Sequence, residues 1–74
     1  MTNAAYIDTA AIKASYAPYH TLPGFETGYT DYLANRYRHR EFHGVDGQAY
    51  DRGQNAAMRV TRAQQWVEQN VGAN

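Results

Sequence analysis

Seven side chains are best suited to gripping a partner: Arg36, Arg38, Arg40, Arg52, Arg59, Arg62 and Trp66. A guanidinium holds phosphate or carboxylate in a planar fork and stacks on rings, and an aromatic neighbour adds a stacking platform. On a helical wheel with Tyr50 at zero and about 100° per residue, Arg52, Asn55, Arg59, Arg62 and Trp66 fall between about 120° and 200°. One helix face thus gathers three arginines and the only tryptophan. Two uses of it stay open. It holds structured RNA, or the arginines are an ordinary solvated face and Trp66 is covered by an N-terminal helix.

Arg36 differs from the other arginines because it emerges on the apolar stripe of its own helix, near the C-terminal end. There it snorkels past Tyr32 and Leu33, meets a specific anion, or answers the helix dipole or Asp51. Little else in the chain is equipped for chemistry. Ser15 is the only serine, there is no cysteine, and no glycine-rich phosphate loop occurs, so nucleophilic catalysis lacks material. His39 and His43 would converge on a metal only if their stretch were helical, and with one carboxylate, Glu41, they do not specify zinc. The expectation is a protein that is not an enzyme, with no catalytic residues, no metal and no cofactor.

The elements that position these residues must come from a thin supply of apolar side chains. The aliphatics are Ile7, Ile12, Leu22, Leu33, Val45, Val60, Val67 and Val71, so the core has to be built largely from alanine and the seven tyrosines. A chain of this size buries only about 60% of its surface on folding. Without cysteine, helix packing, self-association or a partner must supplement the core. One small helical domain over residues 1–74 is expected. The start of the chain lacks the pattern of a signal peptide and no segment approaches the ~20 apolar residues of a membrane span, so the expected location is the cytoplasm.

Periodicity predicts an all-α fold of three helices. The first covers about 3–17, with Thr2 or Asn3 as cap and Pro18 as stop. A central tight helical hairpin follows, about 23–38 and 47–70, on which the first helix packs. Phe25, Tyr29, Tyr32, Leu33 and Arg36 form the stripe of its first member. Tyr50, Gly53, Ala57, Val60, Gln64, Val67 and Val71 form the seam of its second, with Asp46 as N-cap. Gly28 and Gly53 sacrifice helix propensity, and with Ala57 they let two backbones approach closely.

Charge follows the same division. Residues 36–62 hold six Arg against Glu41, Asp46 and Asp51, residues 1–35 hold Lys13 against Asp8, Glu26 and Asp31, and Glu68 completes a net charge of zero. That neutrality opposes strong non-specific attraction to nucleic acid.

Gly28-Tyr29-Thr30-Asp31-Tyr32-Leu33-Ala34-Asn35-Arg36 and Tyr50-Asp51-Arg52-Gly53-Gln54-Asn55-Ala56-Ala57-Met58 resemble the ribosome modulation factor family over roughly residues 26–60. Asn35 stands where that family has glycine, the Cys-Pro-Tyr of its linker is missing from 37–49, and its strong basic charge is absent. The resemblance implies a two-helix unit that binds ribosomal RNA on the small subunit and favours inactive, hibernating ribosomes. Carried over by residue, it implies RNA contacts at Arg36 and Arg52 and, in the linker, Arg38 and Arg40.

The leading expectation is therefore a regulator of translation associated with RNA or the ribosome. A competing one is a protein-binding inhibitor or adaptor acting on one host protein, of the kind phages encode against host defence or transcription machinery. Trp, Tyr and Arg are the usual anchors of such interfaces. A third expectation is a homodimer joined through Trp66 and the long seam.

Overall fold

The computed structural model describes residues 7–70, and all regular structure in them is helical. Helix α1 spans Thr9–Ala14, α2 spans Pro23–Leu33 and α3 spans Gly44–Asn70, with single 3₁₀ turns at Tyr19–Thr21 and His39–Glu41.

The first helix is shorter than its periodicity predicts. It starts at Thr9 because the Asp8 carboxylate accepts a hydrogen bond from the Ala11 amide at 3.0 Å, an N-cap that keeps Ile7 and Asp8 out of the helix. Thr2 and Asn3, the expected caps, lie outside the described residues, as does Val71. Helix α2 begins with Pro23, whose fixed φ and missing N–H suit the first helical position.

The end of α2 also departs from expectation, at Leu33 instead of residue 38. The Asn35 amide donates to the Tyr32 carbonyl at 3.0 Å and the Arg36 amide to the Asp31 carbonyl at 2.7 Å. Asn35 itself has φ 62°. Those two bonds and a left-handed residue make a Schellman motif, with asparagine in the position usually held by glycine. Helix α3 starts three residues before the expected 47, which places Asp46 in its first turn and not at its cap.

The tight pairing of α2 and α3 is present and rests on main chain against main chain. A Cβ on Gly28 would collide with the Tyr50 carbonyl, and one on Gly53 with the Phe25 carbonyl. The two contacts mirror each other: Phe25-x-x-Gly28 in one helix meets Tyr50-x-x-Gly53 in the other. Gly24 lies against Asp46 and Ala49, Gly28 against Tyr50, and Gly53 against Phe25 and Tyr29. Positions rise together along both helices, so the pair runs in the same general direction and does not fold back on itself. The connection 34–43 makes the return, with Tyr37, His39 and Phe42 passing Tyr50 and Asp51 on the way down α3.

The buried core is Phe25, Tyr29, Ala49, Tyr50, Ala56, Ala57 and Val60, the tyrosine and alanine interior that the composition requires. Ile12, Tyr16, Tyr19, Leu22 and Tyr32 pack around it half-buried. The α3 seam is buried from Tyr50 to Val60 and then opens: Gln64 is exposed and Val67 is half-buried. The N-terminal segment descends one flank of α3, where Ser15 and Tyr16 meet Arg59 and Tyr19 meets Gln48 and Arg52. Lys13 ties α1 to α2 through Glu26 at 3.1 Å and lies 4.2 Å from the centre of the Tyr29 ring.

Candidate nucleic-acid interface

The structure sorts the six arginines into two sets. Arg38, Arg52 and Arg59 are engaged within the molecule. Arg38 closes a two-pronged ion pair on Asp31, Nε to Oδ2 at 2.8 Å and a terminal nitrogen to Oδ1 at 3.0 Å, with Glu41 3.7 Å away. Asp31 is only 5% exposed, and it accepts a third hydrogen bond from the Tyr50 hydroxyl at 2.7 Å. That hydroxyl accepts in turn from the Arg38 amide at 2.7 Å. Hydrogen bonds from Arg38 and Tyr50 hold the Asp31 carboxyl below its ordinary range against the opposing effect of burial. Burial pushes the Tyr50 phenol up, and the Asp31 charge adds to that shift.

Arg52 stacks 4.2 Å from the centre of the Tyr19 ring and donates to the Gln48 carbonyl, while Arg59 lies over Tyr16 and reaches the Ser15 hydroxyl. The arginine face read from the helical wheel is therefore partly covered by the N-terminal segment. Trp66, on the same face, is 59% exposed and is not covered by α1.

Arg36, Arg40 and Arg62 form the second set. All three are exposed, and among the described residues none of their side chains has a carboxylate within salt-bridge distance. Arg36 lies beyond the end of α2 and not on its stripe, because the helix terminates at Leu33. Asp51, one of its expected partners, accepts His39 Nδ1 at 2.8 Å instead. Arg36 lines an open cleft of about 600 Å³ with Tyr32, Leu33, Asn35, Tyr37 and Thr61. A smaller hollow of about 380 Å³ continues from it along α3, sharing Tyr32 and Tyr37 and adding Asp51, Gln54, Asn55 and Met58.

Tyr37 stands between these hollows, 67% exposed, with its ring parallel to that of His39 at 5.7 Å. It also borders the surface formed by Arg38, His39, Arg40 and Glu41. Gln54 fixes the rim by donating to the carbonyls of Gly28 at 2.9 Å and Arg36 at 3.2 Å. The cleft thus offers a cation, two phenol rings and the amides of Asn35 and Asn55, a set that can hold an anion beside a flat ring.

The histidines are not placed as a pair. His39 sits in a 3₁₀ turn facing Asp51 and His43 is exposed four residues later outside it, so the helical spacing that would bring them together is not formed. No helix among the described residues is long and apolar enough to cross a membrane.

Sequence reasoning did not single out Tyr37, which lies in a stretch without periodicity. It counted Asp31 only in the charge balance and gave it no structural role, although Gly24, Gly28 and Asp31 at steps of four and three place a carboxylate on the packed stripe of α2. The fold and cleft define a small all-helical protein with a cationic, aromatic surface groove. Comparison with known protein families, characterised proteins and solved structures finds no match to this chain.

Proposed function

We propose that this protein is a non-enzymatic regulator that associates with RNA, in the manner implied by its resemblance to the ribosome modulation factor family, and that ribosomal RNA is its target. The observation that carries the reading is Arg36, a cation with no acidic partner among the described residues, in a cleft walled by Tyr32 and Tyr37. The cleft takes Tyr32, Leu33, Asn35 and Arg36 from the first segment that bears the resemblance, with Tyr37 added from the linker and Thr61 from beyond the second segment. Arg40 and Arg62 supply further free charge, while Arg38, Arg52 and Arg59 hold the scaffold. With a net charge of zero, binding rests on this local grouping and not on a general positive field.

The test is affinity purification of the tagged protein from a host lysate, divided into nuclease-treated and untreated halves and read for both RNA and protein. Small-subunit ribosomal RNA recovered from the untreated half, and lost when Arg36 is changed to Ala, supports the reading. Affinity for that RNA should fall steeply with salt. Recovery of no RNA from either half overturns it.

The exposure of Trp66 favours a second reading, a protein-binding inhibitor or adaptor acting on one host complex. An indole that becomes buried on binding is a common interface anchor, and Trp66 lies where α3 has run past the packed part of its seam. Under this reading one host protein is retained in both halves and Trp66→Ala abolishes its capture.

A further inference from the structure

Resting on the RNA reading, we infer that the Arg36 cleft is a site for unpaired nucleotides, with a base against the face of the Tyr37 ring that His39 leaves open and the phosphate beside it on Arg36. Three observations carry this. First, the two hollows share Tyr32 and Tyr37 and are otherwise lined by different residues, so one exposed ring borders both compartments. At about 600 and 380 Å³ the compartments suit single nucleotides and not a helix of RNA.

Second, the charge and the polar groups are divided in the way a nucleotide requires. The first hollow has one charged side chain, Arg36, which has no acidic partner among the described residues, next to the Asn35 amide. The second has Asn55 and Gln54, and its single carboxylate, Asp51, is already bonded to His39. Amide side chains hydrogen-bond base edges, and the Gln54 carbonyl oxygen is left as an acceptor because its NH2 group is donated to the Gly28 and Arg36 carbonyls.

Third, the stacking surface is usable only by an unstacked base. In a duplex the faces of the bases are hidden against their neighbours, and the deep major groove of A-form RNA does not admit side chains. A tyrosine that offers its ring face therefore selects loops, bulges and ends over paired stems. The ring is held for this role: His39 backs one of its faces, the Asp51 carboxylate fixes the histidine, and the other face is left for the base.

The test is fluorescence anisotropy of the full chain against a labelled RNA stem carrying a six-nucleotide loop of randomised sequence, and against a fully paired duplex of equal length. Loop RNA should bind at least about tenfold more tightly than duplex, in line with stacking of one or more bases. Tyr37→Leu should remove that preference, and Tyr37→Phe, which keeps the ring, should retain it. Circular dichroism of both variants confirms the fold. Equal affinity for loop and duplex, or a folded Tyr37→Leu protein that binds the loop as the parent does, overturns the inference while leaving the RNA reading standing. Binding to neither RNA overturns both.

Discussion

Arg38 reaches back seven residues to grip Asp31 with two nitrogens, and the carboxylate it grips is buried in the face of α2 that meets α3. The pair fixes the direction in which the chain leaves α2. Because the Tyr50 hydroxyl bonds both to Asp31 and to the Arg38 amide, it also fixes α2 and the linker to α3. A charged group buried in this way is costly to strip of its partner, which sets Arg38 apart from the arginines that face solvent.

Arg38→Ala and Arg36→Ala should therefore separate stability from binding. The first should lower the melting temperature by several degrees, since about 1 kcal/mol moves a domain of this size by 4–8 °C. The second should leave the melting temperature unchanged and weaken RNA binding. Thermal denaturation and RNA titration of both variants check this. An Arg36→Ala protein that melts early removes the distinction.

The same cluster sets a pH dependence. The folded Asp31 carboxyl titrates below its unfolded value, so the stability it contributes is complete above the ordinary carboxylate range near pH 4 and is lost as pH falls through the folded pKa. The Tyr50 phenol is raised, so its contribution is complete below the ordinary phenol value near 10 and is lost as pH rises through the folded pKa. Melting temperature should decline at both ends of the scale. Asp31→Asn should be less stable than the parent at pH 7, and the difference should shrink toward pH 3. A constant difference across that range counts against the assignment.

Gly28→Ala and Gly53→Ala should each cost about 1–3 kcal/mol or more, because the added methyl meets a main-chain carbonyl that cannot rotate away. Urea unfolding of each variant measures the loss. Two variants with similar losses are expected from the mirrored contacts, and a neutral result at either position contradicts the close crossing.

Asn35 offers the opposite case. Its φ of 62° suits glycine better than any other residue, so Asn35→Gly should hold or slightly raise stability, whereas Asn35→Ala should lower it by about 1–2 kcal/mol. The same unfolding measurement decides it.

Trp66 should emit as a water-exposed indole and be fully open to a soluble quencher at low protein concentration. If α3 pairs with a second copy through this face, emission shifts to the blue as concentration rises and light scattering reports a dimer. A monomer with unchanged emission at high concentration removes the homodimer.

Much of the fold was legible in the sequence because helical spacing depends on local rules. Phe25, Tyr29 and Tyr32 mark the stripe of α2, and Tyr50, Gly53, Ala57 and Val60 mark the buried half of α3. The glycines announced a close crossing. The direction of that crossing was not legible, since a stripe says which face is buried and not how its partner runs. The end of α2 was misjudged because asparagine, unlike glycine, is an ordinary helix-surface residue until two main-chain bonds place it in a left-handed turn. The helical wheel grouped Arg52 and Arg59 with Trp66, but it could not reveal that Tyr16 and Tyr19 from another segment lie over those two arginines. The cleft itself joins α2, the linker and α3, and its residues are up to 29 positions apart, from Tyr32 to Thr61.

The mirrored contact between the two helices bears on how such a chain can change over generations. Where main chain touches main chain, Gly28 and Gly53 leave no room for a side chain. Arg36 and Tyr37 in the groove and Arg62 and Trp66 on the outer face of α3 take no part in that contact. Selection can replace them one after another while the crossing persists, so the protein can retain its shape and acquire a new partner with few steps that threaten its folding.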